Sequence, residues 1–284
     1  MFLAQYGIRS ITIERLKTTS PLPRAAHFHM RTLELFRAAG IEQAVREQSE
    51  REFVPEGTIV AMDSLAGKVL AQIIPSLNEG VDAVSPCRRL FVTQPGLEPI
   101  LRRRAREAGA TVIDGAEVSA VAQDKDGVRA TIRDLESGET RELRGRYLIA
   151  ADGGHSRVRE QLGIGFSGRG TFSNSLTIYF KGDLSRQIAD NPWSVIYINN
   201  PKLGGFFRLD RDSKSGFFAI NTIGDPKADP AAAANAAADV SEPRLVELVR
   251  IGAGVPNLDV EIVGISRWRA TAEVAERFAD GRIF

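Results

Sequence analysis
Two stretches of this sequence carry polar residues at positions suited to chemistry on a bound nucleotide. Glu14 ends the strand-like run IRSITIE, residues 8–14. A carboxylate at the carboxyl end of such a strand can accept hydrogen bonds from both hydroxyls of an adenosine ribose; an exposed strand-end acid is the plainer alternative. The second stretch is YLIAADGGHSRVREQLGI, residues 147–164, where a buried apolar strand is expected to run into Asp152-Gly153-Gly154 and then into a helix starting near Ser156. A hairpin turn is the other use of Asp-Gly, but here a helix follows in place of a partner strand. His27 and His29 hint at metal, yet His155 is the only other histidine and no ligand set emerges. Cys87 stands alone, which excludes an internal disulfide and a multi-thiolate centre and fits a reducing, cytoplasmic setting. No Ser/His/Asp arrangement or carboxylate pair suggests a protein nucleophile.

The elements that must position these residues are legible from periodicity and punctuation. Residues 1–6 read as the end of a helix stopped by Gly7, followed by the strand over 8–14. A helix is expected from Met30 to Ala39 with Gly40 as its stop, and a hairpin over 57–74 turning at Ala66-Gly67. Residues 94–108 form an amphipathic helix whose basic run, Arg102, Arg103, Arg104 and Arg106, reads as a solvated face. A meander follows over 111–151, punctuated by Asp126-Gly127 and Ser137-Gly138, and aromatic, β-branched runs over 173–223 predict an antiparallel sheet. Residues 228–238 (ADPAAAANAAA) read as a low-complexity connector, Ser241 as the cap of a helix over 243–250, and VEIVGISRWRA and the final GRIF as strands.

Composition sets outer limits. With 37 basic against 36 acidic residues, no global field draws the chain to nucleic acid or an anionic membrane, and no apolar run approaches the ~20 residues of a membrane helix. A chain of 284 residues fits one large or two closely packed domains.

A Rossmann-type nucleotide site places its acid ~20 residues after a Gly-rich fingerprint. Only thirteen residues precede Glu14, and they hold no GxGxxG, so the first strand and its loop are expected to be missing. What supports a nucleotide site in spite of this is a resemblance. Residues 147–164 resemble the DG fingerprint of the class A FAD-dependent aromatic-ring monooxygenases, the family of p-hydroxybenzoate and phenol hydroxylases. Three further segments match in the same order: Glu14-Arg15, PRAAHFHMRTLELFRAAGI over 23–41, and RLFVTQPGLEPILRRRAREAGATV over 89–112.

The resemblance implies an α/β architecture in which a Rossmann-like FAD-binding domain, lacking its first strand and Gly-rich loop, is interleaved with an antiparallel-sheet substrate domain. The flavin part would comprise residues 1–56 and 87–164 and continue at 275–284; residues 57–86 and 165–274 would form the substrate sheet. The chain would stop before the family's Gly-Asp phosphate motif and so be truncated at both ends. By the same resemblance Glu14 is the adenosine-ribose acid, Arg15 lies near the adenine or its phosphate, and Arg31 contacts the flavin. Gln94 meets the flavin near its ribityl chain, Val118 flanks the adenine through its backbone, and Asp152 is the fingerprint aspartate. His29 stands where relatives often carry Asn, which suggests a flavin-facing or packed role for the histidine pair. The implied reaction is hydroxylation of a phenolic ring with NAD(P)H and O2 through a C4a-hydroperoxyflavin. Phe180, Trp193, Tyr197, Phe206, Phe207 and Phe218 are possible lining, most of them expected in the core. The competing readings are a remnant of the fold that cannot hold FAD, and a halogenase, whose WxWxIP motif is absent. A dehydrogenase or methyltransferase leaves the Gln94 helix and the Asp-Gly-Gly turn unexplained together.

Overall fold
Glycines with left-handed backbone close several elements where the sequence places them: Gly7, Gly40 and Gly109 have φ of 73°, 74° and 92°. In the computed structural model, which describes all residues except 21, 24 and 223–239, the helices are α1 (Phe2–Gln5), α2 (Met30–Ala38), α3 (Glu42–Glu52), α4 (Gln94–Glu107), α5 (Arg157–Gln161), α6 (Ser185–Ile188) and α7 (Glu242–Ala253). The strands are β1 (Ile11–Glu14), β2 (His27–Phe28), β3 (Thr58–Met62), β4 (Val69–Ile74), β5 (Leu90–Phe91), β6 (Thr111–Asp114), β7 (Ala116–Gln123), β8 (Val128–Asp134), β9 (Thr140–Gly145), β10 (Phe166–Lys181), β11 (Trp193–Asn200), β12 (Leu203–Leu209), β13 (Ser215–Thr222) and β14 (Glu261–Ala275). The expected connector at 228–238 lies outside the described residues.

The chain forms two compact units. The first comprises residues 1–21, 101–170 and 272–284. In it β1 pairs in parallel with β6, placing Glu14 opposite Asp114, and β7, β8 and β9 form an antiparallel meander. Residues 148–150 bond in parallel fashion to residues 282–284: Ala150 N–H donates to the Phe284 carbonyl at 2.7 Å, and Phe284 N–H to that of Leu148 at 2.9 Å. Val128, Val158 and Ile283 form a small core with Val121, Leu148 and Leu162 against it. The strand at 147–151 was expected to be buried, but Tyr147 and Ile149 are 59% and 65% exposed. Only an isolated bridge from Leu148 to Ile283 forms here, and extended backbone turns Leu148 and Ala150 toward the small core and Tyr147 and Ile149 outward.

The second unit, residues 22–100 and 171–271, is built on a seven-stranded sheet of order β14-β10-β13-β12-β11-β3-β4. Of the described pairs, β10–β13, β13–β12, β12–β11 and β3–β4 are antiparallel, and β11 runs parallel to β3. α7 packs Leu245, Leu248, Val249 and Ala253 with Phe180, Phe207, Phe218 and Ile196. Phe207 and Phe218 are paired in register and stack at 4.1 Å with rings 5° from parallel. Gly252 lets α7 approach: a Cβ there would lie 2.7 Å from Phe218 Cζ and 2.9 Å from Phe207 Cε2. α3 was not anticipated, since Val45 is its only buried side chain and its sequence shows no apolar stripe.

Candidate functional site
In the first unit the strand-end acid is placed by β1 and held by its own turn. Glu14 is half-buried, and its Oε1 accepts from Leu16 N–H at 2.8 Å, which fixes the carboxylate at the carboxyl end of the strand. Arg15 beside it is exposed. The opposite acid, Asp114, takes Arg102 and Arg106, each at 2.7 Å, while Arg103 and Arg104 lie near Glu107. The basic run of α4 is thus engaged in ion pairs and supplies no evident phosphate cradle.

Val118 lies on β7, half-buried, where the register with β8 shifts between Val118 and Ala120. A bulge of this kind releases backbone groups from the ladder. Gln161 of α5 takes up two of them: its Nε2 donates to the Ser119 carbonyl at 3.1 Å and its Oε1 accepts from Val121 N–H at 3.1 Å. Sequence reading missed this clamp, because a glutamine in a short polar helix carries no distinguishing pattern. β7 touches β1 and α5 alike, so the strand bearing Val118 adjoins both the strand that ends in Glu14 and the helix whose first turn Asp152 caps.

Asp152 is exposed, and its Oδ2 accepts from Val158 N–H at 3.2 Å; the Ser156 side chain accepts from Arg159 N–H at 3.0 Å. Both acceptors satisfy orphan donors at the start of α5, the helix expected to begin near Ser156. Gly153 has φ of 87°, and a Cβ built at Gly153 or Gly154 would meet nothing within 4 Å. That open, Cβ-free turn beside a fixed acid fits the approach of a phosphate-bearing ligand.

The second unit holds the other two expected residues. Arg31, in the first turn of α2, projects a guanidinium 77% exposed and donates to Glu34 at 2.9 Å; Glu34 also accepts from Ser85 Oγ at 2.8 Å. Gln94 opens α4 with its amide on Glu98 at 2.6 Å. His27 and His29 lie with ring centroids 4.8 Å apart and planes tilted by 34°, and His27 also packs on Phe91 at 4.9 Å. Burial, with the charges of His29, Arg89 and Arg208 added, pushes His27 down to about 4, so its ring is neutral at physiological pH.

The sheet sorts the candidate lining residues by face. Phe180, Phe207 and Phe218 belong to the α7 core, and Trp193 packs against it. Tyr197 and Phe206 take the other face with Tyr179 and Phe217: the contacts Tyr197–Phe206, Phe206–Phe217 and Tyr179–Phe217 span 5.7, 5.9 and 5.8 Å. Tyr179 and Phe217 were missed, since only cross-strand register reveals that they complete this aromatic band.

A model of the family described as FAD binding domain matches residues 1–284. The chain is 46% identical over 284 residues to the 4-methyl-5-nitrocatechol 5-monooxygenase of a Burkholderia species, covering all of this chain and 52% of that protein. It is 33% identical over 291 residues to the aklavinone 12-hydroxylase RdmE of Streptomyces purpurascens, of which 53% is covered. Among solved structures, the ternary complex of aklavinone-11 hydroxylase with FAD and aklavinone superposes with a TM-score of 0.87 at 31% identity, covering 100% of this chain and 53% of that one. The flavin-dependent monooxygenase PieE, in complex with FAD and substrate, superposes with a TM-score of 0.83 at 31% identity, covering 99% and 49%. The chain therefore spans about half the length of the relatives it matches. With the family model running from the first residue to the last and elements that adjoin β7 presenting a fixed acid and an open Asp-Gly-Gly turn, the chain belongs to the FAD binding domain family.

Proposed function
We propose that this chain provides flavin-binding and ring-binding parts of an FAD-dependent monooxygenase that hydroxylates a phenolic ring using NAD(P)H and O2. The carrying observation is the pairing, on elements that both adjoin β7, of an acid fixed at a strand end with a glycine turn that leaves room for phosphate. FAD, when bound, supplies the redox and oxygen chemistry. Glu14 accepts the adenosine ribose hydroxyls, Arg15 and the Val118 backbone flank the adenine, and Asp152 with its turn borders the pyrophosphate. Arg31 and Gln94 contact the flavin and its ribityl chain. In this reading residues 1–56, 87–164 and 275–284 serve the flavin, and residues 57–86 and 165–274 serve the substrate. The band of Tyr179, Phe217, Phe206 and Tyr197 offers a flat aromatic floor against which a ring can lie.

The test is FAD titration followed by flavin fluorescence, with substrate-stimulated NAD(P)H oxidation as the second readout. Glu14→Gln retains an oxygen for Leu16 N–H but loses a charged acceptor, and a tenfold to hundredfold weaker FAD affinity, about 1.4–3 kcal/mol, is expected. Asp152→Asn keeps an acceptor for Val158 N–H and is expected to weaken FAD by a similar factor. A protein that stays colourless with excess FAD would favour a fold that no longer holds flavin, whereas variants that bind FAD as the parent does would remove Glu14 and Asp152 from the site.

A further inference from the structure
The aromatic face of the seven-stranded sheet carries a charge that flavin binding does not use. Arg208 lies on β12 opposite Phe217 and two residues beyond Phe206, so the three side chains leave the sheet on the same face. Its guanidinium carbon is 4.0 Å from the Phe53 ring centroid and 3.9 Å from that of Phe91. The residue is 5% exposed, and its Nε and Nη2 are buried with no hydrogen-bond partner. Glu52 and Asp210 are the acids that face it. Both are engaged elsewhere: Glu52 accepts from Thr93 N–H, Thr93 Oγ1 and Gln48 Nε2, and Asp210 from Ser215 Oγ. His27, packed on Phe91, is neutral at physiological pH. Burial pushes Arg208 down to about 9, against the pull of Asp210 and Glu52, and it remains cationic at neutral pH.

A buried cation without a hydrogen-bonded counter-ion is costly, and an apolar side chain of similar length would pack the same slot at less cost. Guanidinium stacking on two rings recovers part of that cost. The charge still acts through space on anything lying on Phe206 and Phe217, in a setting of low dielectric.

We propose that Arg208 is a specificity-determining positioning residue that acts through space to hold a phenolic ligand on the Phe206–Phe217 face as its phenolate, the proton passing to solvent. This rests on the reading of that face as the ring-binding floor. A unit charge about 7 Å away at an effective dielectric of about 20 lowers a phenol's pKa by between one and two units; the opposing acids bring the expected shift to about one.

The probe is 4-nitrocatechol, whose phenol and phenolate absorb at different visible wavelengths, titrated with pH while bound to the 284-residue chain. Bound to the parent chain it is expected to ionise about one pH unit below the free compound. Arg208→Met is expected to erase that shift and weaken binding of the anion about tenfold, Arg208→Lys to retain part of it, and the non-ionisable 4-nitroanisole to bind both parent and Arg208→Met alike. The melting temperature of Arg208→Met is expected to equal or exceed the parent's, which separates this role from a structural one. An unshifted pKa in the parent, the same shift in Arg208→Met, or no binding of nitrocatechol at millimolar concentration overturns the proposal. Because the ligand reports by its own absorbance, the result stands apart from flavin binding: the expected shift in a chain that does not bind FAD leaves Arg208 in place, whereas FAD binding without the shift removes Arg208 alone.

Discussion

At the scale of single residues, His27 shows how burial sets a charge state and through it a pH dependence. Its Nε2 is buried without a partner, and the ring is held neutral down to about pH 4, whereas an unfolded histidine takes its proton near 6.5. Above pH 6.5 the ring is neutral in both states and adds nothing. Between 6.5 and 4 the unfolded chain binds the proton first, so stability falls with pH; below 4 the loss is complete. The full shift corresponds to about 3 kcal/mol, discounted to about half because the ring is only half-buried. Glu42 works in a different window: the hydrogen bond from Arg37, with Arg46 assisting, holds it at about 2. Its stabilisation is present above about 4.5 and lost as pH falls through 2. His27→Phe, which keeps a ring against Phe91, should therefore flatten the melting temperature between pH 6.5 and 4 and leave the steeper loss below 4 unchanged. Melting curves by circular dichroism across pH 3–8 would decide it, and a parent-like slope in the variant would assign that window to other groups.

At the scale of elements, close packing of α7 on the sheet makes a second prediction. Gly252→Ala gains about 1 kcal/mol of helix propensity but drives a methyl group toward two rings stacked on each other, an overpacking cost of about 1–3 kcal/mol. Net destabilisation is expected in urea unfolding, and a more stable variant would mean that α7 can lift from the sheet without penalty. Such packing also marks where the sequence stops being legible. Local punctuation foretold α2, α4, the hairpin of β3 and β4, the meander and the start of α5 near Ser156, because each is set by a few adjacent residues. The parallel pairing of β11 with β3 joins segments more than 130 residues apart, and alternation within a strand says nothing about such a neighbour. The candidate site divides in the same way. Asp152 and Glu14 announce themselves by a turn and a strand end, whereas Arg208 in GGFFRLD acquires its burial from Phe53 and Phe91, which reach it from distant segments.

At the scale of the whole molecule, balanced charge leaves association to local apolar surface. No helix among the described residues is long and apolar enough to cross a membrane. β4 is an outer strand of the seven-stranded sheet, paired only with β3, and along it Val69, Leu70 and Ile73 are 52%, 53% and 51% exposed. The register of β4 against β3 shifts at Ile73 and at Leu70, and these bulged positions, with Val69, keep apolar side chains exposed along an edge whose outer backbone groups are unpaired by the sheet. Proteins blunt such edges with bulges and also with lysine or proline; β4 has the bulges, but VLAQII offers neither charge nor proline. The chain is therefore expected to self-associate as its concentration rises, with little dependence on salt because its net charge is close to zero. Leu70→Lys, which puts a cation on the edge and removes little buried contact, should suppress association while shifting unfolding stability by no more than about 0.5 kcal/mol. Light scattering against concentration, read beside urea unfolding of the same samples, distinguishes the outcomes. Association that persists unchanged in Leu70→Lys would place the sticky surface elsewhere, with the exposed Tyr147, Ile149 and Phe284 of the first unit the next to be changed.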